Sequence, residues 1–215
     1  MVLPVEAPRP SKREARKRDR RRAILEAARA SFLEKGYDGT SMSGLLERLG
    51  GSKATLWGYF RSKEELFAAV LDDAVVEHRA TLLSCVEPAG DLLESLTRFC
   101  RRFLEKLSSP DSLALWRLVA AESGRNPEIG RIFYERAPKR IEQGLVAFIA
   151  THMEAGELRA DDPLRAARVL ISLCTGRQHR VMWGVADADA AAVEEDAATV
   201  VDVFLRAYLA PAHRN

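Results

Sequence analysis

The stretch from Thr40 to Phe60, TSMSGLLERLGGSKATLWGYF, constrains this chain more than any other. It predicts two short helices joined by a glycine turn. Ser41 can cap the first, and Leu45, Leu46 and Leu49 then recur at helical spacing on one face. Gly50-Gly51 stops that helix, because glycine enters the left-handed region at little steric cost. Ser52 can cap the second helix. Leu56 and Phe60, four residues apart, would anchor it, leaving Lys53, Thr55, Gly58 and Tyr59 on the other face. Such a face is short, polar and weakly charged, and it fits a DNA groove. Helix–glycine–helix corners are also common in all-α proteins that bind nothing, so the flanks must decide.

The flank before it is strongly basic. Between Arg9 and Arg22 lie Arg9, Lys12, Arg13, Arg16, Lys17, Arg18, Arg20, Arg21 and Arg22, against Glu14 and Asp19. The whole chain carries only +2, so its positive charge is concentrated at one end. That pattern points to a polyanion at that end. The arginines, Arg16 and Arg20 among them, occupy the start of a helix expected from about Glu14 to Lys35. Cations there oppose the helix dipole. Contact with phosphate or the minor groove explains them; a solvated charge run is the alternative.

Of 215 residues, 47% are apolar, enough for a sizeable core. Alanine and leucine dominate and strand signals are few, so the expected fold class is all-α. An N-terminal three-helix helix-turn-helix domain and a C-terminal helical bundle make nine or ten helices. Residues 1–13 read as a disordered basic tail, 14–62 as the helix-turn-helix domain, 63–85 as a connecting helix and 86–210 as the second domain. Ser62 and Glu65 form a capping box for the connecting helix, and Asp91 with Glu94 repeats the spacing. Ser109-Pro110, Asn126-Pro127 and Asp162-Pro163 each pair a cap with proline at the first helical position. Pro138 forces a further break.

Cys85, Cys100 and Cys174 are widely spaced in apolar contexts and read as reduced, buried thiols. The N-terminus has no secretory pattern, and no run of about 18 apolar residues exists to span a membrane. His78, His152, His179 and His213 are scattered without metal-ligand spacing, and no nucleophile-turn, phosphate-loop or dinucleotide motif occurs. The expectation is therefore no enzyme and no cofactor. The second domain suits a small-molecule effector held between helices. Phe103, Trp116, Phe133, Phe148, Cys174, His179, Met182 and Trp183 are candidates to line the pocket, although each taken singly reads first as plain core packing. Arg177 and Arg180 can meet an acidic ligand or serve the helix dipole.

From Arg22 to Leu71 the chain resembles the DNA-binding domain of the TetR family. The matching residues are Ile24, Ala27, Ala28, Phe32, Gly36-Tyr37, Thr40-Ser41, Gly50, Ser52-Lys53, Thr55-Leu56, Phe60, Ser62-Lys63-Glu64 and Leu66. The family usually has alanine where Leu46 and Leu49 stand, valine at Gly51 and tyrosine at Trp57. The resemblance implies that Thr40 or Ser41, Trp57, Tyr59 and Lys63 touch phosphates. It places Lys53, Ala54, Thr55 and Gly58 nearest the base edges. Lysines and hydroxyls suit phosphate, and the Ala54 and Thr55 methyls suit thymine. No arginine stands in the reading helix, so DNA shape carries part of the specificity.

The second half resembles the TetR subgroup with an AefR-like C-terminal domain. The cues are LWRLVAAESGRNPEI, Phe133-Tyr134, the run from Ala155 to Pro163 and the closing FLRAY. This likeness implies a homodimer through the last two long helices, with Leu170, Leu173, Val200, Val201, Phe204 and Tyr208 at the interface. The expected protein is a bacterial, cytoplasmic, ligand-responsive repressor, nucleoid-associated when bound. It would bind a pseudo-palindromic double-stranded DNA operator, with no membrane partner. A constitutive DNA-binding protein whose second domain only dimerises is one alternative. An enzyme on a helical bundle is the other and is disfavoured by the missing catalytic constellation. Activation in place of repression stays open.

Overall fold

The computed structural model describes residues 11–50, 53–87, 90–187 and 189–211. Its helices are α1 (Lys12–Lys35), α2 (Met42–Leu49), α3 (Lys53–Tyr59), α4 (Lys63–Leu83), α5 (Leu92–Leu107), α6 (Pro110–Ser123), α7 (Pro127–Arg136), α8 (Pro138–Glu154), α9 (Pro163–Met182) and α10 (Ala190–Tyr208). The fold is all-α. The chain divides into two compact units, Met1–Val70 and Leu71–Asn215. The expected tail at residues 1–13 falls mostly outside the described residues, as do Gly51, the Ser52 cap and His213.

Local chemistry sets the helix starts. Helix α1 begins earlier than its apolar stripe suggests, because Ser11 and Glu14 form a capping box. The Glu14 carboxylate accepts the Ser11 N–H at 2.8 Å, and the Ser11 hydroxyl accepts the Glu14 N–H at 3.3 Å. Ser41 caps α2, Asp91 caps α5, Ser109 caps α6, Asn126 caps α7 and Asp162 caps α9 through side-chain oxygens. Proline stands at the first position of α6, α7 and α9, where its missing N–H costs nothing. Pro138 separates α7 from α8 at Ala137.

The first unit packs around three rings. Phe32 and Tyr37 stack at 5.6 Å between centroids, and Phe67 meets both edge-on at 5.2 and 5.3 Å. Offset and edge-to-face pairs of this kind add about 0.5–1.5 kcal/mol beyond burial. Ile24, Leu25, Ala28, Leu45, Leu56, Phe60 and Leu66 complete this core.

In the second unit the inward stripes of α5, α8, α9 and α10 form one core that includes Leu96, Phe99, Leu145, Phe148, Leu170, Ala197 and Phe204. Cys85, Cys100 and Cys174 are buried there as free thiols. A hydrogen bond with Cys100, and then burial, push the Cys174 thiol well up, which keeps it protonated and inert. The α8–α9 connection is pinned to the end of α10. Arg159 N–H donates to Tyr208 O at 2.7 Å and Ala210 N–H to Glu157 O at 3.0 Å. His152, edge-on to Phe148, adds a bond from its Nδ1 to the Glu157 carboxylate. Among the described residues no helix is long and apolar enough to cross a membrane.

Candidate nucleic-acid interface

Helix α3 divides cleanly between its two faces. Leu56 and Phe60 are 3% and 2% exposed and join the core. Ala54, Thr55 and Gly58 are exposed, Tyr59 is half-buried and Trp57 is 42% exposed. The face expected to read DNA is therefore the solvent face. Lys53 opens the helix, but its side chain lies outside the described residues. Ser41 is exposed, and its hydroxyl accepts the Gly44 N–H at 3.0 Å. Arg16 is exposed on the first turns of α1.

Thr40 departs from its expected role. It is 1% exposed, and its hydroxyl donates to Gly36 O at 2.9 Å and pairs with the Ser31 hydroxyl at 3.1 Å. Its side chain closes the α1–α2 turn instead of facing a polyanion, which leaves Ser41 as the hydroxyl on that surface.

Arg20 also turns inward. Both its terminal nitrogens lie 3.4 Å from Leu49 O, and Nη2 donates to Gly50 O at 2.5 Å. The last carbonyls of α2 have no partner within the helix, and a guanidinium suits the negative end of its dipole. A sequence signal existed, since Arg20 stands four residues before Ile24 and so extends the buried stripe of α1 by a turn. Lys63 is committed in part: its ammonium donates to Tyr37 O at 2.9 Å and lies 4.2 Å from the Tyr37 ring centroid. The Tyr37 hydroxyl donates in turn to Glu64 at 3.0 Å.

The second-unit candidates separate by burial. Phe103, Phe148 and Cys174 belong to the core. Trp116, Phe133, His179 and Met182 are half-buried. Trp183 is 67% exposed, so it lines no closed cavity. Trp116, His179 and Trp183 nevertheless form a ladder across α6 and the end of α9. The His179 ring meets Trp116 edge-on at 5.4 Å and stacks on Trp183 at 5.7 Å. Arg177 and Arg180 are engaged with Asp196 on α10, at 2.6 and 2.9 Å. Arg177 also donates to Asp187 O at 2.7 Å and Asp189 O at 3.3 Å. Both arginines therefore brace the α9–α10 connection.

The expected interface residues need correction too. Leu170, Val200, Val201, Phe204 and Tyr208 are buried in the chain's own core, and Leu173 packs against it. The apolar stripes of α9 and α10 serve the fold. Their opposite faces carry Ser172 and Gly176 on α9, and Ala191, Ala198, Thr199 and Val203 on α10, all exposed.

A three-helix head that buries one face of a short helix and presents the other, with a basic helix alongside, defines a helix-turn-helix DNA-binding transcriptional regulator. Residues 24–70 match the family described as bacterial regulatory proteins, tetR family. Residues 94–210 match the AefR-like transcriptional repressor C-terminal domain. The chain belongs to the TetR family, whose members are transcriptional regulators and not enzymes.

Solved relatives share the architecture. The flavonoid-responsive regulator FrrA is 31% identical over 92% of this chain and 99% of its own, with a TM-score of 0.76. A TetR-family transcriptional regulator from Mesorhizobium loti is 29% identical over 93% and 100%, with a TM-score of 0.76. By sequence alone, the chain is also similar to the HTH-type transcriptional repressor AcnR of Corynebacterium efficiens, 26% identical over 70% of this chain and 75% of that one.

Proposed function

We propose that the protein is a homodimeric repressor that binds a pseudo-palindromic operator and is released from it by a small molecule. Gly58 carries the reading. A Cβ built there meets no heavy atom of the described residues within 4 Å, so none of them requires glycine. Glycine inside a helix costs about 1 kcal/mol relative to alanine. Close approach of a groove wall supplies the missing reason. Lys53, Ala54, Thr55 and Gly58 then face base edges, while Arg16, Ser41, Trp57, Tyr59 and Lys63 meet phosphates. Lys63 has two donors beyond the one given to Tyr37. The protein acts in the cytoplasm, on the nucleoid when bound, because its partner is chromosomal DNA.

The sign and the effector are read by likeness. AcnR is a repressor, which supports repression. FrrA is flavonoid-responsive, and the ring ladder of Trp116, His179 and Trp183 offers stacking surfaces to planar aromatic compounds. Helix α4 carries residues of both units and is the natural transmitter. A coupling of about 1–3 kcal/mol is enough for a useful response.

The test is selection of duplexes from a random pool, followed by titration of the selected complex with a panel of planar polyphenols. The reading predicts an inverted repeat with half-sites about one helical turn or a modest multiple apart, and release by at least one compound. Selection of a single half-site bound by monomer would refute the dimeric operator. A selected complex that no compound loosens would leave a constitutive DNA-binding protein.

A further inference from the structure

We infer that Arg20 and Arg21 are positioning residues for the DNA-reading helix, not phosphate contacts. One turn of α1 braces the chain on both sides of α3. Arg20 holds Leu49 O and Gly50 O, just ahead of α3, with a fork of two terminal nitrogens. Gly50 has φ +63°, so the chain leaves α2 through a left-handed residue, and the guanidinium fixes its carbonyl. Arg21 lies 5.5 Å from the ring centroid of Phe60, the residue directly after α3. Adjacent residues on a helix point about 100° apart, which is how one turn reaches two separate points.

The need for such bracing follows from the length of α3. Seven residues make barely two turns, too few for a helix to hold itself in water. Its tilt against α1 therefore depends on what fixes its ends. A tilt error at Gly50 moves every base-facing side chain at once, whereas a lost phosphate contact weakens all sequences alike. The basic run thus divides by direction. Arg16 faces solvent and remains available to the polyanion, while the half-buried Arg20 is bonded to the Leu49 and Gly50 carbonyls and Arg21, though exposed, lies against the Phe60 ring.

This inference rests on the DNA-reading assignment, and the experiment separates the two. Affinities of wild type, R16A, R20A, R20K and R21A are measured on the selected duplex and on a scrambled duplex across a salt series. Thermal melts confirm that each variant is folded at the assay temperature. For R20A and R21A the expected result is a loss of about tenfold or more on the selected duplex. Scrambled-duplex affinity and the salt slope should stay near wild type. R20K should follow R20A, because lysine lacks the planar pair of terminal nitrogens with which Arg20 spans the Leu49 and Gly50 carbonyls. R16A should weaken both duplexes and lower the slope by about 0.9.

Equal losses on both duplexes with a lowered slope, or rescue by R20K, would make Arg20 a phosphate contact and overturn the inference. The same equal losses in R21A would overturn it for Arg21. Unchanged selectivity in R20A and R21A, with wild type selective, would overturn it as well. A wild type that prefers no sequence would overturn the DNA-reading assignment itself.

Discussion

The guanidinium of Arg177, on α9, lies 2.6 Å from the carboxylate of Asp196, on α10, and its side chain is 3% exposed. Arg180 reaches the same carboxylate from the solvent side at 2.9 Å. Burial pushes the Asp196 carboxyl up, but the hydrogen bonds and charges of Arg177 and Arg180 outweigh it and hold the group below its usual value. A carboxyl with a depressed folded pKa binds fewer protons folded than unfolded. Its contribution is therefore full above the unfolded value, near pH 4, and is lost as pH falls toward the folded one. Asp196→Asn should flatten the acid limb of stability below about pH 4. It should also cost about 3 kcal/mol at neutral pH, because Arg177 stays buried without its counter-charge. Denaturant unfolding at several pH values measures both; an unaltered acid limb would remove Asp196 from the account.

Gly58→Ala should move stability and binding in opposite directions. The added methyl meets nothing among the described residues and removes the glycine penalty, so the unfolding free energy should rise by up to about 1 kcal/mol. Affinity for the selected duplex should fall. A variant that gains stability and keeps full affinity would show that no groove wall approaches this position.

Lys63→Ala should change two measurements together. Loss of the bond to Tyr37 O and of the contact with the Tyr37 ring should cost about 1 kcal/mol of stability. If the remaining donors meet phosphate, the salt slope of DNA binding should also drop by about 0.9. A stability loss with an unchanged slope would confine Lys63 to the fold.

Ala198→Arg and Val203→Glu test the outward face of α10. Neither residue belongs to the buried core, and Val203 is a large apolar residue left in solvent. Either change should weaken self-association by at least about tenfold in sedimentation experiments, as expected for a charge placed in an apolar interface. Val203→Ala serves as the mild control. Unchanged association in both charged variants would move the dimer interface to another face.

What the sequence disclosed follows from the range of the interactions concerned. The caps at Ser109, Asn126 and Asp162 act within two or three residues, so a short window contains them. The division of α3 into Leu56 and Phe60 against Ala54, Thr55 and Gly58 is a matter of helical period and was equally legible. Arg20 and Lys63 bond to groups 29–30 and 26 residues away; phosphate was suggested for Arg20 by the charge run and for Lys63 by the family resemblance, and neither signal contains the distant partner. Helix α10 failed for a different reason. Its period revealed an apolar stripe, yet one sequence does not distinguish a stripe that meets its own α5 and α9 from one that meets a second copy.

The three tryptophans of the chain divide its optical signal by position. Trp57 stands alone on the solvent face of α3, while Trp116 and Trp183 flank His179 on α6 and at the end of α9. A Trp57→Phe variant reports only on the His179 neighbourhood, and a variant lacking Trp116 and Trp183 reports only on the head. If the proposed effector binds beside the His179 ladder, occupancy of DNA and occupancy of the effector have separate intrinsic fluorophores, and their order in time can be followed in one cuvette without an attached dye.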